Sequence, residues 1–510
     1  MTVRDETAII PRLRAMKRPN ADPWGEDWYA PDELDINRKR LPRFFDLLPW
    51  VVPGLVMGLV GGIGIGRPAL WSDELATWGM ATTPWAGMFK ILQYVDLIIG
   101  PYYVVAHAWS DLDGASDAAI RVPSLLAMIG AAALVGALGT RLGGRRVGLL
   151  AGLLFAVLPG SSRYAQEARV YALVTLFAVL STFALVSAVK KPHFARYCGY
   201  ALAVVLLGVL HPIALLLLAA HGWVVFAQYR RQVAAWLSAA LLGSLPALPL
   251  LYLGNRQKAQ VSWIPTPDGQ TLLDFPKELA GVTAAGVLLL ALGLFSLPLR
   301  RRAAFYTAWA ILPLLGLFAA GQFTPLFLAR YLLFTLPAWA LLAAAAVGRV
   351  RLVWGLLAVG AVATFGIPQQ MAIREPDGHG EAGHDVAAII TDNSHDGDAI
   401  VYGMADAGGN WVGRDTITHY VPAAQRPKDV LATKPSRADG NLAAEECQDV
   451  AKCLGTPPRV WVIRLGYLPD PLTALDGAKE PVLRERYQVE QVWRPRGFTV
   501  ALATMTKPAG

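Results

Sequence analysis

Two adjacent carboxylates, Asp73 and Glu74, stand in the stretch GRPALWSDELATW (66–78). Directly before them runs LLPWVVPGLVMGLVGGIGIG, about twenty apolar residues, the length that crosses a hydrocarbon core. Acids beside such a run are costly to desolvate and are kept for function more often than for stability. Further polar groups recur at the ends of later apolar runs: Asp96; Arg163, Glu167, Arg169 and Tyr171 in SSRYAQEARVYAL; His211; Arg256 and Lys258; Arg330 and Tyr331 in FLARYLLF. A carboxylate within hydrogen-bond reach of a hydroxyl can take its proton. An arginine fork holds a phosphate through two parallel hydrogen bonds. Together, beside an apolar wall, they suit proton abstraction next to a bound anion. Asp73 has a plainer reading as a helix cap shared with Ser72, and Glu167 with Arg169 has one as a pair that fixes helix packing.

The elements that must position these groups are helices in a membrane. Of 510 residues 54% are hydrophobic and 16% charged, against about a quarter charged in soluble domains. The apolar residues crowd into 47–367, while 1–46 and 368–510 are polar. The net charge of +8 is spread over the ends of apolar runs and forms no dense block, which argues against a nucleic-acid partner. Spans are expected near 47–66, 121–140, 147–161, 169–189, 197–211, 212–228, 234–253, 281–298, 304–321, 331–348 and 352–367, about eleven in all. The first reads as an uncleaved anchor, since no small-residue cleavage site precedes it.

With the basic tail 1–46 in the cytoplasm, the clusters Arg141/Arg145/Arg146, Lys190/Lys191/Arg196, Arg230/Arg231, Arg300/Arg301/Arg302 and Arg349/Arg351 all fall inside. Reading 91–109 as a further span would place the later clusters outside. The connection 67–120 is therefore expected to be an outer loop of juxtamembrane helices lying along the interface. A second outer loop is expected at 254–280. The tail 368–510 is expected to be a small extracytoplasmic α/β domain, with a helix at HDVAAIITDN and strands at AIVYG and RVWVIRLG. Cys198, inside an apolar run, reads as a packed thiol. Cys447 and Cys453 are close enough to bridge outside the cell or to share a metal, with no nearby His or Cys to complete four ligands.

Four segments, WSDEL, DLIIGPYYVVAHAW, RYAQEARVYAL and FLARYLLFTLP, in this order over about residues 45–370, resemble the polytopic GT-C glycosyltransferases. Among these the sequence is most similar to bacterial relatives of the protein O-mannosyltransferases and to the aminoarabinose transferases of lipid A. The resemblance implies a polyprenyl-phosphate-linked sugar as donor, chemistry on the outer face of the membrane and inversion at the anomeric carbon. It makes Asp73 the general base with Glu74 in support, and Glu167 and Asp96 further acids near the donor phosphate or a metal. Arg330, Arg169, Arg256, Lys258 and Tyr331 then form the donor-phosphate set. A divalent cation, Mg or Mn, is compatible with such a site.

Relatives carry a His two residues after the acid at position 96, where this chain has Ile98, so no role for that His carries over. The Ala- and Gly-rich, Arg-over-Lys composition resembles actinobacterial members, whose donors carry mannose or arabinose. The expectation is mannosyl transfer to a glycan, glycolipid or protein acceptor of the cell envelope, with arabinosyl or other pentosyl transfer second. A transporter or scaffold for lipid-linked sugars is the rival class. Neither the inverted repeats nor the helices broken at mid-membrane that are typical of transporters are expected here.

Overall fold

The computed structural model describes residues 46–296, 301–404 and 411–506, excepting the side chains of 301–303 and 404. Apart from Asp46, the expected cytoplasmic tail lies outside the described residues, as do Arg300 and the side chains of Arg301 and Arg302. Helix α1 spans Leu48–Gly62 and is followed by three short helices, α2 (Ser72–Thr82), α3 (Trp85–Leu92) and α4 (Gly100–Asp113). The bundle continues through α5 (Val122–Gly143), α6 (Arg145–Val157), α7 (Pro159–Ala165), α8 (Tyr171–Lys190), α9 (Phe194–Leu210), α10 (Leu217–Gln228), α11 (Val233–Ser244) and α12 (Ala247–Gly254). It closes with α13 (Gly269–Ala280), α14 (Thr283–Leu294), α15 (Arg301–Gly321), α16 (Leu336–Val347) and α17 (Leu352–Ala372).

Each expected span contains an apolar helix, but fewer are long enough to cross a membrane than the runs suggested. Among the described residues five helices have that length and composition, or up to eight if each of three bent pairs is one span. The stretches Leu48–Gly62, Phe194–Leu210 and Pro212–Gln228 are apolar but shorter. The expected loop 254–280 is largely helical: a 3-10 turn over Asn255–Val261 leads to α13, which starts in a capping box of Asp268 and Thr271. Cys198, expected to be packed, is exposed on α9, because only one side of that helix faces the bundle.

Glycines let three helices touch through their backbones. A Cβ at Gly136 of α5 would lie 1.9 Å from the Pro49 carbonyl oxygen of α1, and one at Gly148 of α6 would lie 2.4 Å from the Gly136 carbonyl oxygen. Proline and glycine then break the bundle where the polar motifs lie. Pro159 opens α7 at 65° to α6, which no longer forms the straight span expected over 147–161, and Gly281, at φ +89°, sits in the 99° bend between α13 and α14.

After α17 comes a mixed α/β unit: α18 (Gly383–Asn393), β1 (Ala399–Met404), α19 (Trp411–Tyr420), β2 (Lys428–Asp429), β3 (Ala432–Lys434), β4 (Glu445–Glu446), α20 (Val450–Leu454), β5 (Arg459–Leu465), α21 (Lys479–Arg486), β6 (Tyr487–Trp493) and β7 (Phe498–Met505). The main sheet has the order β2-β1-β5-β7-β6, with β2, β1 and β5 parallel and β7 antiparallel to both its neighbours. Alternation along the strands divides its two faces. Ile400, Tyr402, Trp461, Ile463 and Val500 belong to the core that runs through the helical bundle, whereas Val401, Val460, Val462 and Ala501 form a second cluster on the far side. The first of these faces packs on α19, which in turn contacts α2. Cys447 and Cys453 are joined by a disulfide.

Gly136→Ala is expected to destabilise the bundle by about 1–3 kcal/mol, seen as a lower unfolding midpoint of the purified protein, because its Cβ would meet backbone. Gly360→Ala is the control: a Cβ there meets nothing within 4 Å, and the midpoint should not fall.

Candidate active site

Asp73 occupies the first turn of α2, where the helix dipole favours negative charge. It does not cap the helix: the N-cap is Trp71, and no side chain caps it. Asp73 Oδ2 instead lies 3.7 Å from a guanidinium nitrogen of Arg169 and 3.7 Å from one of Arg330. These are ion-pair distances, and Asp73 Oδ2 is buried without a hydrogen-bond partner. Arg169 comes from the segment between α7 and α8 and also donates to the Asp73 carbonyl at 3.3 Å. Arg330 comes from the 3-10 turn Ala329–Thr335 that leads into α16, and it lies over the Trp71 ring at 5.7 Å. Arg163 of α7 approaches the same ring at 6.0 Å and pairs with Glu167 at 2.6 Å. Trp71 Nε1, Glu167 Oε1, Arg169 Nε, Arg330 Nε and His211 Nδ1 are likewise buried without partners. Native interiors leave few such atoms, so each calls for a partner such as water or a polar ligand.

Asp96 joins this site through Tyr103, whose hydroxyl donates to Asp96 Oδ2 at 2.7 Å and lies 3.5 Å from Arg169. Asp96 has φ +56°, a left-handed conformation that Asp tolerates. Its backbone and that of Leu97 donate to Gln260 at 3.3 Å and Gln257 at 3.0 Å. Burial pushes the Asp96 carboxyl up, with Arg169 opposing. Arg256 and Lys258, expected near the donor phosphate, lie on the exposed side of the same turn that supplies the two glutamines. Arg256 packs on Tyr252, with its guanidinium 5.0 Å above that ring. Tyr331 does lie beside the site, against His211 at 5.0 Å and Tyr171 at 6.1 Å.

Glu74, expected to support Asp73 in catalysis, turns away from it. Both carboxylate oxygens are fully buried against Arg121, at 2.7 Å and 2.6 Å, and Oε1 also accepts from the Ala168 backbone at 2.8 Å. Burial opposes its charge, but Arg121 and His379 hold its carboxyl below the usual range. Arg121 donates further to the carbonyls of Ile65 and Pro68, each at 2.8 Å. His379 Nδ1 stands 3.0 Å from Glu74 Oε2, and burial and Arg163 push this imidazole down to about 3, so it stays neutral.

Residues beyond α17 grip the strand that leads into Asp73. Ala69 N donates to the Pro376 carbonyl at 2.8 Å, Leu70 N to the Tyr420 hydroxyl at 2.7 Å, and the Ser72 hydroxyl to Glu381. Tyr420 and His419 also bind Asp117, at 2.9 Å and 2.6 Å. Sequence reasoning missed Arg121, Tyr103, Trp71, His379 and Tyr420. One signal was available for Arg121: a lone basic residue at the end of a span expected to be outer, where the basic clusters are expected to be inside.

Among the described residues no three of His, Cys, Asp and Glu gather as ligands. Asp73 lies against Arg169 and Arg330, Glu167 against Arg163, and Asp96 against the Tyr103 hydroxyl.

The chain aligns with the crystal structure of ArnT from Cupriavidus metallidurans bound to undecaprenyl phosphate at a TM-score of 0.57, covering 89% of this chain and 98% of that one at 13% identity. The apo ArnT structure aligns equally well, at a TM-score of 0.57. The chain thus shares the fold of these ArnT structures. Residues 101–253 match the family model described as dolichyl-phosphate-mannose-protein mannosyltransferase. The arabinosyltransferase EmbB of Mycobacterium smegmatis aligns at 19% identity over 64% of this chain and 32% of its own, with a TM-score of 0.41. No curated protein matches the sequence.

Arg121→Met is expected to cost about 3–5 kcal/mol in unfolding free energy, since it strands a buried carboxylate. The double variant with Glu74→Gln should recover part of that loss. Burial pushes Glu381 up to about 7 from its ordinary 4.5. Its stabilising contribution is therefore complete below about 4.5 and lost as pH rises through about 7. Glu381→Gln should remove this decline, read as a smaller gap between unfolding midpoints at about pH 5 and about pH 8.

Proposed function

We propose that this protein is an inverting GT-C glycosyltransferase that moves a sugar from a polyprenyl-phosphate carrier to a hydroxyl-bearing acceptor of the cell envelope, on the outer face of the plasma membrane. The observation that carries the reading is Asp73, held between Arg169 and Arg330 at ion-pair distance among polar atoms that lack partners. Asp73 takes the acceptor hydroxyl proton while that oxygen forms a bond to the sugar C1. The bond from C1 to the phosphate oxygen breaks, and its electron pair stays on the phosphate. The donor diester carries one negative charge and the departing monoester gains a second, so charge grows next to the two arginines as the reaction proceeds. Interactions that strengthen in this way lower the barrier. The proton leaves Asp73 for solvent after the transfer.

Mannose is the proposed sugar, supported by the match of residues 101–253 to a mannosyltransferase family. Arabinose or another pentose is the alternative. The acceptor is a glycan, a glycolipid or a protein. The placement of basic clusters supports a multi-pass protein with its N-terminus in the cytoplasm and residues 368–510 outside, where the Cys447–Cys453 disulfide would persist.

The test is transfer from synthetic polyprenyl-phosphate mannose, and separately arabinose, by purified protein with and without a chelator. Asp73→Ala should lower kcat by about 10²–10⁴-fold and bind the sugar-free carrier at least as tightly as wild type, because a negative charge beside the phosphate is gone. Unchanged kcat in Asp73→Ala would overturn its role as base. Loss of transfer on chelation would add a cation to the mechanism.

A further inference from the structure

Of the unpartnered polar atoms at the site, His211 Nδ1 has no part in the transfer step just described. His211 stands at the outer end of α9, only 7% exposed, where Pro212 starts a 3-10 turn over Pro212–Leu216. Its ring lies 5.0 Å from that of Tyr331 and 6.1 Å from that of Tyr171, and the two tyrosines are 6.1 Å apart. Three rings from three separate segments thus form a closed triangle. The chain ties this triangle to the phosphate-binding groups: Tyr331 directly follows Arg330, and Tyr171 stands two residues after Arg169.

A triangle of aromatic rings offers apolar surface to the C–H face of a sugar, and one uncommitted imidazole nitrogen beside it can fix the orientation of a hydroxyl. Mostly apolar lining with a few placed polar groups is the usual make-up of a small-molecule site. The charges nearby decide which sugars fit. Asp73 faces Arg169 and Arg330, Glu167 pairs with Arg163, and Asp96 accepts from Tyr103. The positive charge beside these rings is that of Arg169 and Arg330, which precede Tyr171 and Tyr331 in the chain. An ammonium group on the sugar would meet that positive charge, whereas a neutral hydroxylated ring would not.

We propose that His211, Tyr171 and Tyr331 form the subsite for the donor's sugar, that the sugar is neutral, and that His211 Nδ1 hydrogen-bonds one of its hydroxyls. This rests on the transferase reading of the same cleft. His211 is a specificity-determining residue, acting on the sugar and not on the carrier.

The experiment compares wild type, His211→Ala and His211→Asn for binding of bare polyprenyl phosphate, binding of polyprenyl-phosphate mannose, and transfer. A carrier bearing an amino sugar serves as a further donor, and unfolding midpoints confirm the fold of each variant. His211→Ala should bind bare carrier as wild type does and raise KM for the mannosyl donor about tenfold, the order expected for one buried hydrogen bond. His211→Asn, whose amide can reach the place of Nδ1, should recover part of that loss, and the amino-sugar donor should be poorer than the neutral one. An unchanged KM in His211→Ala, an equal loss of bare-carrier binding, or a preference for the amino sugar would overturn the proposal. Wild type that transfers nothing yet binds the mannosyl carrier through His211 would remove the transferase reading and leave the subsite standing.

Discussion

The buried pair of Glu74 and Arg121 is the interaction on which the rest of the site depends. Neither side chain is exposed, so each charge is tolerable only while the other is present. Through its carboxylate oxygens Glu74 fixes the start of α2, the Ala168 backbone beside Arg169, and His379 beyond the last bundle helix. Arg121 adds the carbonyls between α1 and α2. Asp73 is the next residue along the chain and shares none of these bonds. Its orientation between two arginines is a result of what its neighbour holds.

The same division of labour recurs across the site. Residues at the start of α2, before α8 and before α16 come together because proline or a 3-10 turn interrupts helices that would otherwise run on. At those interruptions the backbone is held by side chains, as Gln257 and Gln260 hold the turn at Asp96. Charges that complete a bond within the fold are dry and paired, whereas the groups on the cleft are left at ion-pair distance or without partners. A rigid, satisfied shell thus surrounds an unsatisfied centre, the arrangement that lets developing charge be met without reorganisation.

Much of this was legible in the sequence. The apolar runs located the helices, the β-rich run RVWVIRLG located a central strand, and the motifs around Asp73, Arg169 and Arg330 marked groups that do meet. What could not be read is direction around a helix axis. Asp73 and Glu74 are adjacent in sequence, but successive residues on a helix point about 100° apart. One therefore faces the cleft and the other the interior. The resemblance placed Arg256 and Lys258 with the phosphate ligands, and it could not show that the turn carrying them points Gln257 and Gln260 at the backbone of Asp96 and Leu97. The apolar runs also could not show where a helix bends, so they overstated straight spans. His379 and Tyr420 were beyond reach, since their partners are some 300 residues earlier in the chain.

The hold of Pro376, Glu381 and Tyr420 on residues 69–72 has a consequence for biogenesis. A ribosome delivers the segment bearing Asp73 early and the residues that clamp it late. Throughout insertion of the intervening helices the strand before α2 lacks its partners, and the candidate base has no fixed direction. The site is completed only when the last domain folds and docks. A nascent chain that has not yet reached Tyr420 therefore has Asp73, Arg169 and Arg330 but not the clamp on residues 69–72.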